Sequence, residues 1–130
     1  ELWTTMGHLY KGGMWFKKKS VLQAEGNYNT EKSADGVTDL RTTFVLYHNT
    51  SLTPGLPSAA DASKYFYLPS MGFYGLGRLS MVGYAGFYWS SSSLPYGGTT
   101  GAIGLRFFGD SGVDVGNLPR GDGFRIHTLQ

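Results

Sequence analysis

Residues 86–126 read GFYWSSSSLPYGGTTGAIGLRFFGDSGVDVGNLPRGDGFRI. Apolar and aromatic residues recur at spaced positions: Phe87, Tyr88, Trp89, Ala102, Leu105, Phe107, Val113, Val115, Phe124 and Ile126. Ser, Gly, Thr, Asp and Asn lie between them. The pattern is that of a fixed frame carrying replaceable positions. Short apolar runs bounded by Gly, Asn and Pro predict strands, here over 87–90, 101–108, 112–115 and 124–128. Residues 90–127 contain no Lys, Glu, Gln, Met or Trp. None of these five amino acids has a codon ending in a pyrimidine. Lys and Glu are common in ordinary domains. A β region rich in small residues also disfavours them, so composition alone leaves both explanations open.

Outward from this stretch, the chain is one domain. Its 130 residues suffice for one modest core, and neither an internal repeat nor a domain boundary is visible. Twenty glycines, 15% charged residues and 15% aromatics describe a folded, loop-rich chain anchored by aromatic side chains. A net charge of +2 is too weak to point to nucleic acid. The run Lys17, Lys18, Lys19 reads as a solvated strand end or turn. With no cysteine, neither disulfides nor Cys-ligated zinc nor a thiol nucleophile is available. No apolar run approaches transmembrane length and none has the pattern of a signal peptide, so no membrane insertion by this domain is expected. The chain opens at Glu1 without an initiator Met, as a trimmed piece of something larger would.

Before residue 65 the signals are weaker. Gly12-Gly13 between Tyr10 and Trp15 predicts a hairpin turn joining strands over 7–10 and 14–18. Residues 23–39 read as loop with at most a brief helical turn. Residues 40–47 (LRTTFVLY) read as a strand, and 49–57 as a Pro-containing loop. A short helix is predicted over 58–66, capped by Ser58, with Asp61 in its first turn and Ala59, Ala60 and Ala62 favouring it. Tyr65 to Leu68 then form a strand stopped by Pro69, and 70–86 is punctuated by glycines. The fold class is α+β: short, mostly antiparallel strands, one or two short helices and long ordered loops. Long loops in a compact domain are usually functional.

The ordered segments YFYLPSMGFY (65–74), GYAGFYWSSS (83–92), AIGLRFF (102–108), VDV (113–115) and RGDGFRI (120–126) resemble a C-type-lectin-like domain. The subgroup is the one related to the formylglycine-generating fold. It occurs in paralogous surface-protein domains of gut anaerobes and in the variable proteins of diversity-generating retroelements, many of them prophage-tail or cell-surface ligand-binding proteins. The resemblance covers residues 65–126, about half of the chain. After Gly123-Phe124 the family usually continues through Val, Arg and Pro, whereas this chain has Arg125-Ile126-His127-Thr128.

In retroelement proteins, template adenines are mutated. The resulting codons end in pyrimidines and never encode the five residues missing from 90–127. The resemblance implies a non-enzymatic receptor- or adhesin-type domain displaying a diversified surface on a rigid scaffold. Its implied variable contacts are Ser91, Ser93, Tyr96, Thr99, Thr100, Ile103, Arg106, Phe108, Asp110, Asp114, Leu118 and Asp122. Of these, Tyr96, Arg106, Phe108, Asp110, Asp114, Leu118 and Asp122 are expected to be exposed. Trp89 is expected in the core and Tyr88 half-buried. The implied partner is a protein or glycan on another cell or surface, with no nucleic acid. The implied location is extracellular, on a cell surface or on a virion surface, and the oligomeric state is left open. An undiversified adhesin or glycan-binding domain is the alternative.

The sequence offers little for catalysis. The sulfatase-modifying relatives use cysteine, which this chain lacks. His8, His48 and His127 share no motif, and no nucleophile elbow surrounds Ser90 to Ser93. No cofactor is expected. Asp110, Asp114, Asn117 and Asp122 are oxygen donors in one short region, so a structural calcium is one reading and solvated loop carboxylates the other. The Glu-Pro-Asn and Trp-Asn-Asp triplets of sugar-binding lectins are absent. Arg120-Gly121-Asp122 spells the tripeptide read by integrins. In the family pattern only Arg120 belongs to the frame, so chance accounts for it better.

Overall fold

The computed structural model describes residues 1–5, 7–28, 32, 36–39, 42–43, 45–90, 101–109 and 111–124. Strands β1 (Leu2–Thr5), β2 (His8–Lys11) and β3 (Gly13–Lys17) precede helix α1 (Lys19–Ala24). Then follow β4 (Tyr47–Asn49), a 3₁₀ turn (Ala62–Lys64), β5 (Tyr65–Pro69), β6 (Phe73–Gly75), β7 (Arg78–Ser80), β8 (Ala85–Trp89), β9 (Gly101–Phe108) and β10 (Gly112–Pro119). Among the described residues the protein is mostly antiparallel strand with very little helix. No described helix is long and apolar enough to cross a membrane.

A four-stranded sheet in the order β4-β10-β9-β8 is the centre. Eight consecutive pairs join β9 to β10, from Gly112–Phe108 to Pro119–Gly101. Paired residues share a face and neighbours alternate. Leu105, Phe107, Val113, Val115 and Tyr88 therefore share one face. A two-stranded ribbon of β3 and β5 covers it, with Met14 opposite Leu68 and Phe16 opposite Phe66. Leu68, Tyr88 and Phe107 are buried at the contact, with Met14, Phe16, Phe66, Leu105 and Val113 packed around them. The Phe107 ring lies 5.8 Å from Phe16 and 6.1 Å from Tyr88. The Tyr88 hydroxyl donates to the Pro69 carbonyl at 2.6 Å, which fixes the ribbon against the sheet. Directly across from Phe107 is Gly86, where any Cβ would run into the Phe107 ring.

Several expectations are corrected. The strand pair at the N-terminus is β1–β2, and Gly12 (φ 106) ends it rather than forming its turn. The Trp3 indole donates to the Gly12 carbonyl at 2.8 Å and stacks 5.0 Å from Tyr10. β3 is thereby released to pair with β5 instead of β2. Helix α1 lies mostly before the expected loop of 23–39 and reaches into it only at Gln23 and Ala24. It stops in a Schellman arrangement, with Gly26 at φ 73 and the Asn27 N–H donating to the Leu22 carbonyl at 2.9 Å.

Of the strand expected over 40–47, Tyr47 alone among the described residues is strand, as the first residue of β4, and Thr42, Thr43, Val45 and Leu46 are outside it. The helix expected over 58–66 is a turn and a 3₁₀ segment. Ser58 does bond the Asp61 amide at 3.2 Å, but the chain must be extended by Tyr65 to meet β3. β10 runs to Pro119, four residues beyond the expected strand. Of the strand expected over 124–128, Phe124 is described and is not strand, and the rest lies outside the described residues.

β6 and β7 are joined by Leu76 (φ 51) and Gly77 (φ 77), the two positive φ angles of a type I′ turn. Leu76 is fully exposed, so its side chain offsets none of the strain. Leu76→Asn is expected to stabilise the protein by about 1 kcal/mol. Phe107→Ala is expected to cost about 3–5 kcal/mol. Urea unfolding of the two variants checks both signs.

Candidate binding face

The other face of the central sheet carries Phe87 and Trp89 from β8, Arg106 and Phe108 from β9, Asp114 and Leu118 from β10, and His48 from β4. One half of it is an aromatic cluster. Phe87 lies 4.9 Å from Phe73, 5.3 Å from Phe124 and 5.9 Å from Phe108, while Trp89 lies 4.4 Å from Phe124. Tyr84 extends the row, 6.2 Å from Phe108. The segment after β10 is held over this half because Tyr74 and Gly123 exchange backbone hydrogen bonds at 2.9 and 2.6 Å. The other half is polar. Arg106 and Asp114 are cross-strand partners, as are Asp114 and His48. Arg106 Nε donates to Asp114 Oδ2 at 2.8 Å, and His48 Nδ1 meets Asp114 Oδ1.

Burial of Asp114 is the largest single influence on its carboxyl group and opposes ionisation. Hydrogen bonds from His48 and Arg106, with the charges of the same two groups, together outweigh it. The carboxyl is held below its ordinary value of 3.8. A lowered pKa stabilises the fold above the unfolded-state value and loses that contribution as pH falls through the folded-state one.

The structure separates the expected site residues into three groups. Arg106, Phe108 and Asp122 are partly exposed. Ile103, Asp114 (8% exposed) and Leu118 (3% exposed) are buried, which corrects the expectation of exposure for the last two. Ile103 shares the face of Leu105 and Phe107, and Leu118 fills the space over Gly104, where a Cβ would meet its side chain. Asp114 is drawn in by its two partners. Ser91, Ser93, Tyr96, Thr99, Thr100 and Asp110 lie outside the described residues. Trp89, expected in the core, is half-buried on the aromatic side. Tyr88, expected half-buried, is buried through its bond to Pro69.

Asp114 and Asn117 are an odd number of residues apart on β10 and so point to opposite faces. They do not converge on one calcium ion. Among the described residues no group of three or more His, Cys, Asp or Glu side chains is arranged to hold a metal. His8 sits in the β1–β2 pair against Tyr10, remote in topology from His48, and His127 lies outside the described residues.

Sequence reasoning missed His48. Its signal is its place directly after Tyr47, the last residue of the expected run and the first of β4. A further cleft of about 890 Å³ lies between β3 and the 49–57 stretch, lined by Trp15, Phe16, Lys17, Leu52 and Tyr65 among others. Trp15 Nε1 is buried without a hydrogen-bond partner among the described residues.

Comparison of the chain with protein-family models, curated proteins and solved structures finds no match.

Asp114→Asn is expected to destabilise the protein at pH 7 by about 1–3 kcal/mol, since one carboxylate serves two donors. The difference from the parent protein is expected to shrink as pH falls below the ordinary aspartate range. Urea unfolding of both proteins between pH 7 and pH 2.5 measures it.

Proposed function

We propose that this chain is a non-enzymatic ligand-binding domain with a C-type-lectin-like scaffold, displaying a diversified surface in the manner of retroelement variable proteins. The ligand is a protein or glycan on another cell or surface, and the domain acts at a cell or virion surface. The observation that carries this reading is the division of β9 and β10 between two faces. The frame residues Leu105, Phe107 and Val113 face the ribbon and belong to the core, and Val115 shares their face. The replaceable residues Arg106, Phe108 and Asp114 face the other way. Such a division lets the partly exposed Arg106 and Phe108 change without disturbing the core, although the replaceable Ile103 shares the core face and the frame residues Ala102 and Trp89 lie on the other. The missing codon class over 90–127 supports the same reading. Rigidity of the frame favours binding, because preordered groups lose less entropy.

Burial of Asp114 and Leu118 favours a second reading, a fixed adhesin or glycan-binding domain. Buried positions tolerate fewer replacements than exposed ones.

The deciding experiment is on DNA. The locus is expected to contain a near-copy of the coding region for residues 86–128 beside a reverse transcriptase gene. Its mismatches should fall at template adenines, in codons such as those for Arg106, Phe108 and Asp114. A locus with neither feature sinks the diversified reading and leaves the fixed one.

A further inference from the structure

The polar half of the face is more than a cross-strand ion pair. Asp114 has both carboxylate oxygens engaged, one by Arg106 Nε and one by His48 Nδ1. It is therefore an anchor and has no oxygen left over for a strong external contact. Arg106 is the reverse case. A guanidinium carries five N–H donors in a rigid planar fork. Only the Nε edge is taken by Asp114, and among the described residues the two Nη groups have no partner. The side chain remains 38% exposed. Its directly paired neighbour across the sheet is Phe87, and two residues along is Phe108, which leads to Tyr84. The His48 side chain, 54% exposed, borders the same spot.

A planar fork with one edge pinned presents its end edge in a set direction. The complementary group is an oxyanion that takes both Nη donors at once, a carboxylate or a phosphate, and of the two the carboxylate is planar like the fork. The aromatic border selects what the carboxylate is attached to. Phe108 and Tyr84 offer apolar area and few hydrogen bonds, Phe87 itself being buried, whereas a sugar ring needs several donors and acceptors around it. We infer that Arg106, held by Asp114 and flanked on its own strand by Phe108 with Tyr84 beyond it, is a receptor for a carboxylate next to an apolar group on a protein partner, such as an acidic side chain beside an apolar one. This rests on the reading of the sheet face as a recognition surface and names the ligand chemistry of its centre.

The test is an NMR titration of the full chain with three probes: benzoate, glucuronate and inorganic sulfate. Benzoate is expected to shift the Arg106 Nε–H resonance and the Phe108 amide saturably. Arg106→Gln should weaken this about tenfold. Arg106→Lys should also weaken it, because the charge stays but the fork is lost. Melting curves of both variants, with the parent for reference, identify any that fail to fold, and the lysine variant keeps the test readable if the glutamine one does. Three results overturn the inference: no saturable benzoate shift, an equal shift in Arg106→Gln, or sulfate binding as tightly as benzoate. Glucuronate binding as tightly as benzoate overturns the protein-partner assignment in favour of an acidic glycan. Failure here is distinct from failure of the wider reading. A template copy in the DNA together with no benzoate binding sinks only the assignment of Arg106, whereas benzoate binding without a template copy leaves Arg106 as a receptor on a fixed face.

Discussion

The structure depends on one contact, the Phe107 ring lying over Gly86 and against Tyr88 and Phe16. Phe107 belongs to the central sheet and Phe16 to the β3–β5 ribbon, so this ring joins two separately hydrogen-bonded units. The missing Cβ of Gly86 gives the ring its place. The stacked Tyr88 carries its hydroxyl to Pro69 on the ribbon and adds a directional bond to a contact that is otherwise apolar. In a chain without disulfides, docking of this kind is what holds small sheets together.

The same contact sets the register of the face opposite. A slip of one residue in β9 or β10 exchanges the two faces of the strand. It would drive Arg106 and Asp114 into the apolar core and put Phe107 into solvent. The penalty for an unpaired buried charge is several kcal/mol, so the register is strongly specified. Asp114 is tolerated in its own buried position because both of its oxygens are engaged. Arg106 is left with one edge tied and one edge available, and that asymmetry makes it a candidate recognition group as well as half of an ion pair.

Legibility varied along the chain for physical reasons. β9 was readable to its ends, because apolar residues are dense there and glycines bound it. Local propensity ends β10 early, since Gly116, Asn117 and Pro119 are poor strand formers by themselves. Their pairing with Gly104, Ile103 and Gly101 of β9 overrides that propensity. The alanines of 58–66 asked for a helix, and the partner strand β3 required extension instead. Gly12-Gly13 marks a break in the chain, but turn chemistry does not say which strands pair, and β3 pairs with β5. On the candidate face, the residue types were visible in the sequence. The convergence of His48 with Asp114, 66 positions away, was not.

The sequence by itself determined that this is a cysteine-free, aromatic-anchored chain of short strands, with spaced apolar and aromatic positions separated by small and polar ones between residues 86 and 126. Those properties follow from local composition and from period-two alternation, both of which act over a few residues. Only the tertiary structure decided which strands pair, that Asp114 and Leu118 are buried while Arg106 stays partly exposed, and that His48 joins them. Burial and cross-strand partnership come from elements distant in sequence meeting on one sheet, and no local pattern encodes that meeting.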